Sequence, residues 1–213
     1  MGKEIIIENV NLSIGKAQIL KDISMEMEKG LIYGLVGRNG SGKTMLMKCI
    51  CGFIKPTSGK ITVQGKQVGK EVDFPRNMGI IIENPAFVPN YSGLKNLKML
   101  AGLNRKIKES QIIETLEKVG LDPKLKLHVK KYSLGMRQRL GIAQAIMEDP
   151  DILILDEPMN GLDKDGVEDV RKLLLDLKEQ GKTIVIASHN ALDIEILCDY
   201  VWEMEKGIAK QIS

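Results

Sequence analysis

Residues 37–44 read Gly37-Arg38-Asn39-Gly40-Ser41-Gly42-Lys43-Thr44, which matches the phosphate-binding pattern of glycine, four residues, then Gly-Lys-Ser/Thr. An apolar, strand-like run precedes this P-loop at residues 31–36, and residues 45–50 continue it as a helix. The glycines let successive backbone N–H groups point into one concavity, to which the helix N-terminus adds partial positive charge. We therefore expect a nucleotide-phosphate site in which Lys43 reaches the β- and γ-phosphates and the Thr44 hydroxyl ligates Mg²⁺.

Length and composition limit the architecture to one domain. The chain has 213 residues, and we treat residues 1–213 as a single nucleotide-binding domain. Its apolar share of 43% and charged share of 28% are ordinary for a soluble globular protein. The formal net charge of +3 is too small to indicate a nucleic-acid binder, so we expect no nucleic-acid partner.

Cysteine usage and hydropathy bear on the compartment. The three cysteines, Cys49, Cys51 and Cys198, form no metal-type C-x-x-C pair and are expected to be small core residues in a reducing compartment. No apolar run approaches the roughly 20 residues of a membrane-spanning helix. These features favour a cytoplasmic protein, which is compatible with docking onto a membrane protein.

The rest of the pattern is typical of an α/β protein. Residues 5–14 and 19–27 alternate apolar with polar side chains, as half-buried antiparallel strands do. Residues 60–63, 78–82, 152–155 and 183–187 predict further strands, and residues 167–178 an amphipathic helix. The predicted fold is a P-loop NTPase core with a mostly parallel sheet, an N-terminal antiparallel β subdomain and an inserted α-helical subdomain.

The inserted helical subdomain is expected at about residues 86–148, and it is rich in lysine. Between Lys95 and Lys131 there are ten Lys/Arg against four Asp/Glu. This excess indicates either a solvated lysine-rich face or a surface near anionic lipid or an acidic partner. Leu94, Leu97, Leu100 and Ala101 recur at helical spacing, as do Ile112, Ile113, Leu116 and Val119.

Two acids follow the buried run at residues 152–155. Asp156 and Glu157 stand at the carboxyl end of a parallel strand, where such sheets bind ligands. Asp156 is placed to hold Mg²⁺ opposite Thr44. Glu157 is placed to accept a proton from, or to orient, the water that attacks the γ-phosphate.

A second anion-binding helix start occurs at residues 132–140, Tyr132-Ser133-Leu134-Gly135-Met136-Arg137-Gln138-Arg139-Leu140. Ser133 is a natural N-cap, and an apolar stripe of Leu140, Ala143 and Met147 follows it. Because the P-loop needs no second clamp, this helix start is expected to meet nucleotide held by another protomer.

The stretch resembles the signature motif of ATP-binding cassette (ABC) ATPases. The order of P-loop, signature, Asp156-Glu157-Pro158, Asn160-Gly161-Leu162-Asp163 and Ser188-His189 matches that family over essentially the whole chain.

That resemblance implies a head-to-tail homodimer with two ATP molecules between one subunit's P-loop and the other's signature, residues Ser133, Leu134, Gly135 and Met136. It implies that Asp163 is the D-loop aspartate linking the two sites. It also implies that His189 is the switch histidine that contacts the γ-phosphate. The nucleotide-binding set is then the P-loop, the signature and Asp163, and the catalytic set is Lys43, Glu157 and His189.

Three departures from the common family pattern stand out. Glu83 replaces the usual glutamine, and a carboxylate also ligates Mg²⁺ while adding negative charge near the phosphates, so the metal set is Thr44, Asp156 and Glu83. The stretch Glu83-Asn84-Pro85-Ala86-Phe87 and the signature variants Tyr132, Leu134 and Met136 resemble bacterial cassettes of multidrug, lantibiotic and bacitracin exporters. No aromatic residue lies near Ile14, where the family stacks one on adenine.

The function that these features favour is the ATPase subunit of a bacterial exporter of peptide antibiotics or drugs, peripheral on the inner face of the membrane and driving a separate transmembrane permease. Phe87 and Tyr91 are either contacts to that permease or local packing under a loop. One alternative is a soluble ABC-type ATPase in nucleic-acid repair or translation, which usually has long coiled coils or two cassettes. Another is a nucleotide-dependent interaction module, which an intact Glu157 and His189 disfavour. A third is a P-loop kinase, which should lack the signature helix.

Overall fold

A computed structural model describes residues 2–83, 85–104 and 106–213 of the chain. Asn84, in the segment that resembles exporter cassettes, and Arg105, in the lysine-rich stretch, lie outside the described residues. The strands are β1 Lys3–Ile14, β2 Ala17–Glu28, β3 Ile32–Val36, β4 Ser58–Val63, β5 Lys66–Gln67, β6 Met78–Ile81, β7 Ile152–Asp156, β8 Thr183–Ala187, β9 Tyr200–Glu205 and β10 Ile208–Gln211. The helices are α1 Lys43–Ile50, α2 Gly93–Asn104, α3 Glu109–Lys118, α4 Leu134–Ile146, α5 Lys164–Glu179 and α6 Ala191–Leu197, with a single 3₁₀ turn at Val129–Lys131.

The larger sheet has the order β10-β9-β3-β8-β7-β6. Strands β9, β3, β8, β7 and β6 pair in parallel, and only β10 at the edge is antiparallel to its neighbour. Parallel strands are covered on both faces, which is why residues 152–155 and 184–187 are unbroken apolar runs. The prediction of a mostly parallel sheet is confirmed, and the carboxyl ends of β3, β6, β7 and β8 meet at one edge.

The smaller sheet has the order β2-β1-β4-β5 and is antiparallel throughout. Its inward positions are apolar and buried, as the alternation of Ile23, Met25 and Met27 predicts. The N-terminal antiparallel β subdomain of the sequence prediction is therefore present.

Helix α1 packs between the two sheets. Its buried side chains Leu46, Met47 and Ile50 belong to a cluster that also contains Ile5 and Met27 of the small sheet. Alternate residues of the large sheet point the same way, among them Ile152, Ile154 and Val185. Burying each such side chain contributes about 1.5–3 kcal/mol, so the start of α1 is held rigidly at the strand ends.

The opposite face of the large sheet is covered by a second cluster. Leu153, Leu155 and Ile184 pack there with Leu140 and Ala143 of α4 and with the helical repeats named above, of which Leu97, Ala101, Ile112, Leu116 and Val119 are buried. The three helices α2, α3 and α4 fall inside residues 86–148. That these residues form a subdomain stays a prediction.

Candidate functional site

The P-loop connects the end of β3 to the first turn of α1. Gly37, Gly40 and Gly42 all have positive φ, of 143°, 79° and 111°. A Cβ at Gly37 would collide with the carbonyl oxygen of Met204, and one at Gly42 would lie 2.9 Å from Leu20 Cδ2. Glycine is thus required at Gly37 and Gly42 by backbone conformation and by packing against β9 and β2.

Polar groups of the loop fit a phosphate ligand. Lys43 is only 7% exposed, and its Nζ donates to the carbonyl oxygens of Gly37 at 2.6 Å and Arg38 at 3.3 Å. Ser41 Oγ is the one buried side-chain polar atom in the described ranges without a hydrogen-bond partner. Buried hydroxyls are normally satisfied, so an unpartnered one beside a lysine and a helix N-terminus fits the phosphates of ATP.

Thr44 and Asp156 meet across the cavity. Thr44 lies in the first turn of α1 and Asp156 at the end of β7, and Thr44 Oγ1 donates to Asp156 Oδ2 at 2.6 Å. Hydroxyl and carboxylate oxygens are hard ligands that suit Mg²⁺. Across the described residues, no three His, Cys, Asp or Glu side chains cluster tightly enough to hold a metal by themselves. A cation here fits a site completed by phosphate oxygens and water.

Glu157 and His189 come together because their strands are neighbours. Asp156 of β7 pairs with Ala187 of β8, so the residues just beyond each strand end lie side by side. His189 Nδ1 is 2.7 Å from Glu157 Oε2. Glu157 itself has a left-handed backbone with φ of 52°, a conformation that is costly for a non-glycine residue and that occurs often at functional sites.

Glu83 follows β6, the strand next to β7, and faces the same cavity. Its φ of 61° is again left-handed. Its Oε1 accepts a hydrogen bond from Lys48 Nζ of α1 at 2.6 Å. The sequence analysis did not identify Lys48, because nothing in the spacing of residues 44–50 indicates which strand end a lysine on α1 will reach.

A cavity of about 600 Å³ unites most of these residues. It is lined by Ile19, Asn39, Gly40, Ser41, Gly42, Lys43, Thr44, Met45, Glu83, Gln138, Asp156, Glu157 and Asn160. Gly37, Arg38 and His189 instead line an adjoining cavity of about 1180 Å³ on the other side of the loop, which shares Asn39, Gly40 and Ser41 with the first.

The apolar wall of the smaller cavity is supplied by Ile19. Ile14, which sequence reasoning took as the position facing adenine, is 53% exposed and is not part of the lining. Both residues belong to the β1–β2 hairpin, whose register the sequence does not give.

The signature residues lie away from the chain's own cavity. Ser133 Oγ accepts from Met136 N at 3.1 Å and so caps α4, and Leu134 is exposed. A Cβ on Gly135 would lie 3.0 Å from the carbonyl oxygen of Gly161. Asp163 caps α5 by accepting from Gly166 N at 2.9 Å. These residues, at the starts of α4 and α5, are called the signature face, and none of them is among the residues that line the two cavities.

Gln138 connects that face to the cavity and was not singled out from the sequence. It is buried on α4, and its Nε2 donates to the carbonyl oxygens of Glu157 at 3.2 Å and Pro158 at 2.9 Å. The first turns of α4 are thereby fastened to the backbone of the candidate catalytic acid.

The segment after Glu83 runs over the helical region. Phe87 is partly buried and packs against the cluster under α4, which favours the local-packing interpretation of this residue. Lys95 Nζ lies 3.7 Å from the centre of the Tyr91 ring. Lys98 pairs with Glu109 at 2.8 Å, an exposed ion pair that is in keeping with a solvated lysine-rich face. No helix in the described ranges combines the length and apolar character that a membrane-spanning segment needs.

Comparison with protein families matches residues 20–160 to the family described as ABC transporter. The chain is 48% identical over 204 residues to YybJ of Bacillus subtilis (strain 168), an uncharacterized ABC transporter ATP-binding protein, covering 95% of this chain and 94% of that protein. It is 40% identical to the lantibiotic transport ATP-binding protein SrtF of Streptococcus pyogenes, covering 94% and 86% of the two chains. It is 41% identical to the bacitracin transport ATP-binding protein BcrA of Enterococcus faecalis, covering 96% and 68%.

Solved structures show the same fold. The dimeric ATP-binding cassette MJ0796, in a post-hydrolysis state bound to ADP and Pi, superposes with a TM-score of 0.87 over 98% of this chain and 99% of that chain, at 21% identity. A nucleotide-free ATP-binding cassette from an ABC transporter superposes with a TM-score of 0.84 over 98% and 90%, at 22% identity. At such identities the likeness establishes the fold alone, and it confirms the predicted α/β architecture.

Proposed function

Because the chain belongs to the ABC transporter family and is an ATP-binding ATPase of that family, we propose that it powers a bacterial exporter of peptide antibiotics or drugs. In this proposal two copies bind two Mg-ATP head to tail and drive a separate transmembrane permease from the inner face of the membrane. The export of peptide antibiotics is suggested by the relatives named for lantibiotic and bacitracin transport. The observation that carries the proposal is that Lys43, Thr44, Asp156 and Glu157 line one cavity while the signature residues do not.

The loop residues 37–44 hold the triphosphate. Lys43 exchanges the carbonyl oxygens of Gly37 and Arg38 for β- and γ-phosphate oxygens, which are stronger acceptors because they are charged. The unpartnered Ser41 hydroxyl gains an acceptor in the same step. Thr44, Asp156 and Glu83 would hold Mg²⁺, which would neutralise negative charge on the phosphates.

Hydrolysis needs a base beside the γ-phosphate. Glu157 accepts a proton from the attacking water while the water oxygen bonds to the γ-phosphorus, the bond to the β–γ bridging oxygen breaks, and ADP leaves with that electron pair. His189 contacts Glu157 at 2.7 Å and is largely exposed, so its second ring nitrogen is available to the γ-phosphate. The two residues thus position the water and the phosphate together.

A second copy completes the site. Ser133, Leu134, Gly135 and Met136 form the start of α4, whose N-terminal partial positive charge attracts an anion, although Met136 N–H itself is capped by Ser133 Oγ. Since this face lies away from the chain's own cavity, its phosphate comes from the partner. Asp163 lies on the same face and links the two sites. ATP binding closes such a dimer and product release opens it, which gives the permease its motion.

The test separates hydrolysis from dimerisation. Replacing Glu157 by glutamine removes the proton acceptor, so hydrolysis falls at least about tenfold while ATP binding stays and ATP-bound dimers accumulate. Phosphate release measures the first effect and light scattering the second. Glu179→Gln, at the end of α5, is the matched control and retains full turnover. Turnover of Glu157→Gln at the rate of the unchanged chain would contradict the role given to Glu157.

The dimer is tested by charge on the signature face. Ser133→Arg spares ATP binding by the single chain and abolishes the nucleotide-dependent dimer, because the arginine removes the N-cap and crowds the phosphate path. Ser110→Arg, on the exposed first turn of α3, leaves the dimer intact. An ATP-bound dimer that forms equally well with Ser133→Arg would count against the shared site.

A further inference from the structure

The wall of the ATP cavity contains an ion pair between the carboxylate of Glu83 and the ammonium of Lys48. Lys48 Nζ lies 2.6 Å from Glu83 Oε1, and the two side chains are 22% and 64% exposed. Glu83 lies among the residues that line the cavity, and Lys48 does not. The lysine therefore meets the carboxylate from behind, while the glutamate faces the nucleotide.

The fold places this pair beside the predicted metal ligands. Lys48 lies four residues after Thr44 on α1, so the two side chains share one face of that helix. Ile81 of β6 pairs with Leu155 of β7, so Glu83, two residues past β6, and Asp156, the last residue of β7, lie at the same sheet edge. The Glu83 carboxylate therefore pairs with the Lys48 ammonium group and lines the same cavity as the Thr44 hydroxyl, a proposed Mg²⁺ ligand.

The charges that line the cavity explain why the Glu83 carboxylate needs a cationic partner. Glu83, Asp156 and Glu157 line it with Lys43 as the single lysine among the lining residues, before any phosphate arrives. Asp156 is engaged by Thr44 and Glu157 by His189, each in a direct contact. Among the described residues, the ion-pair partner of Glu83 is Lys48. A lining of three carboxylates and one lysine would repel a polyphosphate, and Lys48 offsets part of that negative charge.

We propose that Lys48 is a positioning residue that competes with the divalent metal for Glu83, so that the carboxylate exchanges an ammonium partner for the metal when nucleotide binds. This inference rests on the proposed ATPase function. An ion pair whose carboxylate is 64% exposed contributes little to stability, and the carboxylate is accessible to a competing cation. The lysine also explains how a carboxylate is accommodated at this position: Glu83 is neutralised by Lys48 before the metal arrives and by the metal afterwards.

The test measures metal binding directly, in the presence of ADP, with Mn²⁺ as a spectroscopic substitute for Mg²⁺. Free Mn²⁺ is followed by electron paramagnetic resonance for the unchanged chain, Lys48→Met, Glu83→Gln and the double variant. Lys48→Met frees the carboxylate and lowers the half-saturating Mn²⁺ concentration about threefold, the scale of an exposed ion pair. In the Glu83→Gln background the same change has an effect of less than about 1.5-fold, because the coupling is gone.

Two controls separate this coupling from a general effect of charge or folding. Lys48→Arg keeps a cationic partner for Glu83 and does not lower the half-saturating Mn²⁺ concentration, and Lys98→Met removes the exposed Lys98–Glu109 pair without effect. Thermal unfolding is measured for each variant, and Lys48→Gln replaces Lys48→Met if the latter does not fold.

If Lys48→Met changes the half-saturating Mn²⁺ concentration equally in the presence and absence of Glu83, the lysine acts only through its charge at a distance, and the proposal is overturned. No change in either background would also overturn it. Failure of the unchanged chain to bind Mn²⁺ with ADP would overturn the proposed function instead, and this inference with it. If all four proteins bind Mn²⁺ in the presence of ADP with the same half-saturating concentration, the inference is overturned and the proposed function is not.

Discussion

At the scale of residues, three carboxylates of the site have three different partners. Asp156 accepts from a threonine, Glu157 contacts a histidine, and Glu83 pairs with a lysine. Glu83 and Glu157 both have left-handed backbones, a conformation that costs about 1–2 kcal/mol for a residue other than glycine. This cost is a sign that their positions serve the cavity rather than stability.

The thiols form a second residue-scale feature. Burial raises the pKa of Cys49 to about 11 and the pKa of Cys51 and Cys198 to about 12. Since the thiolate is the nucleophile, we expect no reaction of the native protein with a chromogenic disulfide reagent at about pH 8. The chain unfolded in urea reacts at all three cysteines, which is the control. Rapid reaction of the native chain would contradict the described burial.

The same pKa values determine how the free energy of unfolding changes at alkaline pH. Unfolded thiols titrate near 9.0 and folded ones only near 11 to 12, so the unfolded state releases its protons first as the pH rises. The free energy of unfolding therefore falls from about pH 9 upward and is unaffected by these groups below it.

Motif spacing predicted Lys43, Thr44, Asp156 and Glu157 as neighbours because a P-loop and a strand end are local features whose meeting point is set by parallel-sheet geometry. It could not predict Lys48 as the partner of Glu83, because a long side chain's partner depends on how α1 is rotated above the sheet.

At the scale of elements, the contact between β6 and α4 determines the position of β6, the strand that precedes Glu83. A Cβ added to Gly79 of β6 would collide with the carbonyl oxygen of Ala145 and would lie 2.7 Å from Leu153 Cδ2. The backbones of strand and helix therefore approach closely, and the close approach leaves no room for a side chain.

We expect Gly79→Ala to lower the free energy of unfolding by about 1–3 kcal/mol, because the added methyl group overpacks a rigid contact. Denaturation in urea measures the change. Gly102→Ala on α2 is the matched control: a Cβ there meets no atom of the described residues within 4 Å, so the variant is stabilised by about 0.5–1 kcal/mol. Equal stability of Gly79→Ala and the unchanged chain would contradict the packing of β6 against α4.

A buried ion pair joins two other elements to the site. Arg171 of α5 pairs with Asp193 of α6, and Asp193 also accepts from Ser188 Oγ at 3.0 Å. Ser188 directly precedes His189, so the histidine's backbone is tied to a pair that is costly to break once buried.

Strands β1 to β4 and β6 to β8 and helices α1 to α5 were predicted in the right order because their periodicities are strong, whereas α6, β9 and β10 were not predicted. Ile19 was not identified as a cavity residue from the sequence, because which residue of the β1–β2 hairpin reaches the P-loop depends on register and on tertiary contacts.

At the scale of the whole molecule, the proposed dimer makes each active site from two chains. A variant with a defective P-loop and one with a defective signature can then complement each other, because a mixed dimer contains one site with both intact parts.

We expect Lys43→Ala and Ser133→Asp each to be inactive alone, and their equimolar mixture to recover about a quarter of the turnover per site when the chains associate at random. Aspartate caps a helix as well as serine does, so Ser133→Asp keeps the fold while its charge repels phosphate. Phosphate release after mixing measures the recovery. Two aliquots of the same variant, mixed in the same way, are the control, and a mixture as inactive as its components would argue for self-contained sites.

The amide of Gln138 has a consequence for that arrangement. Its Nε2 donates to the carbonyl oxygens of Glu157 and Pro158 from α4, the helix whose first turn contacts the second copy in the proposed dimer. In that dimer, a displacement of the end of β7 on ATP cleavage would be transmitted through α4 to the nucleotide in the other site.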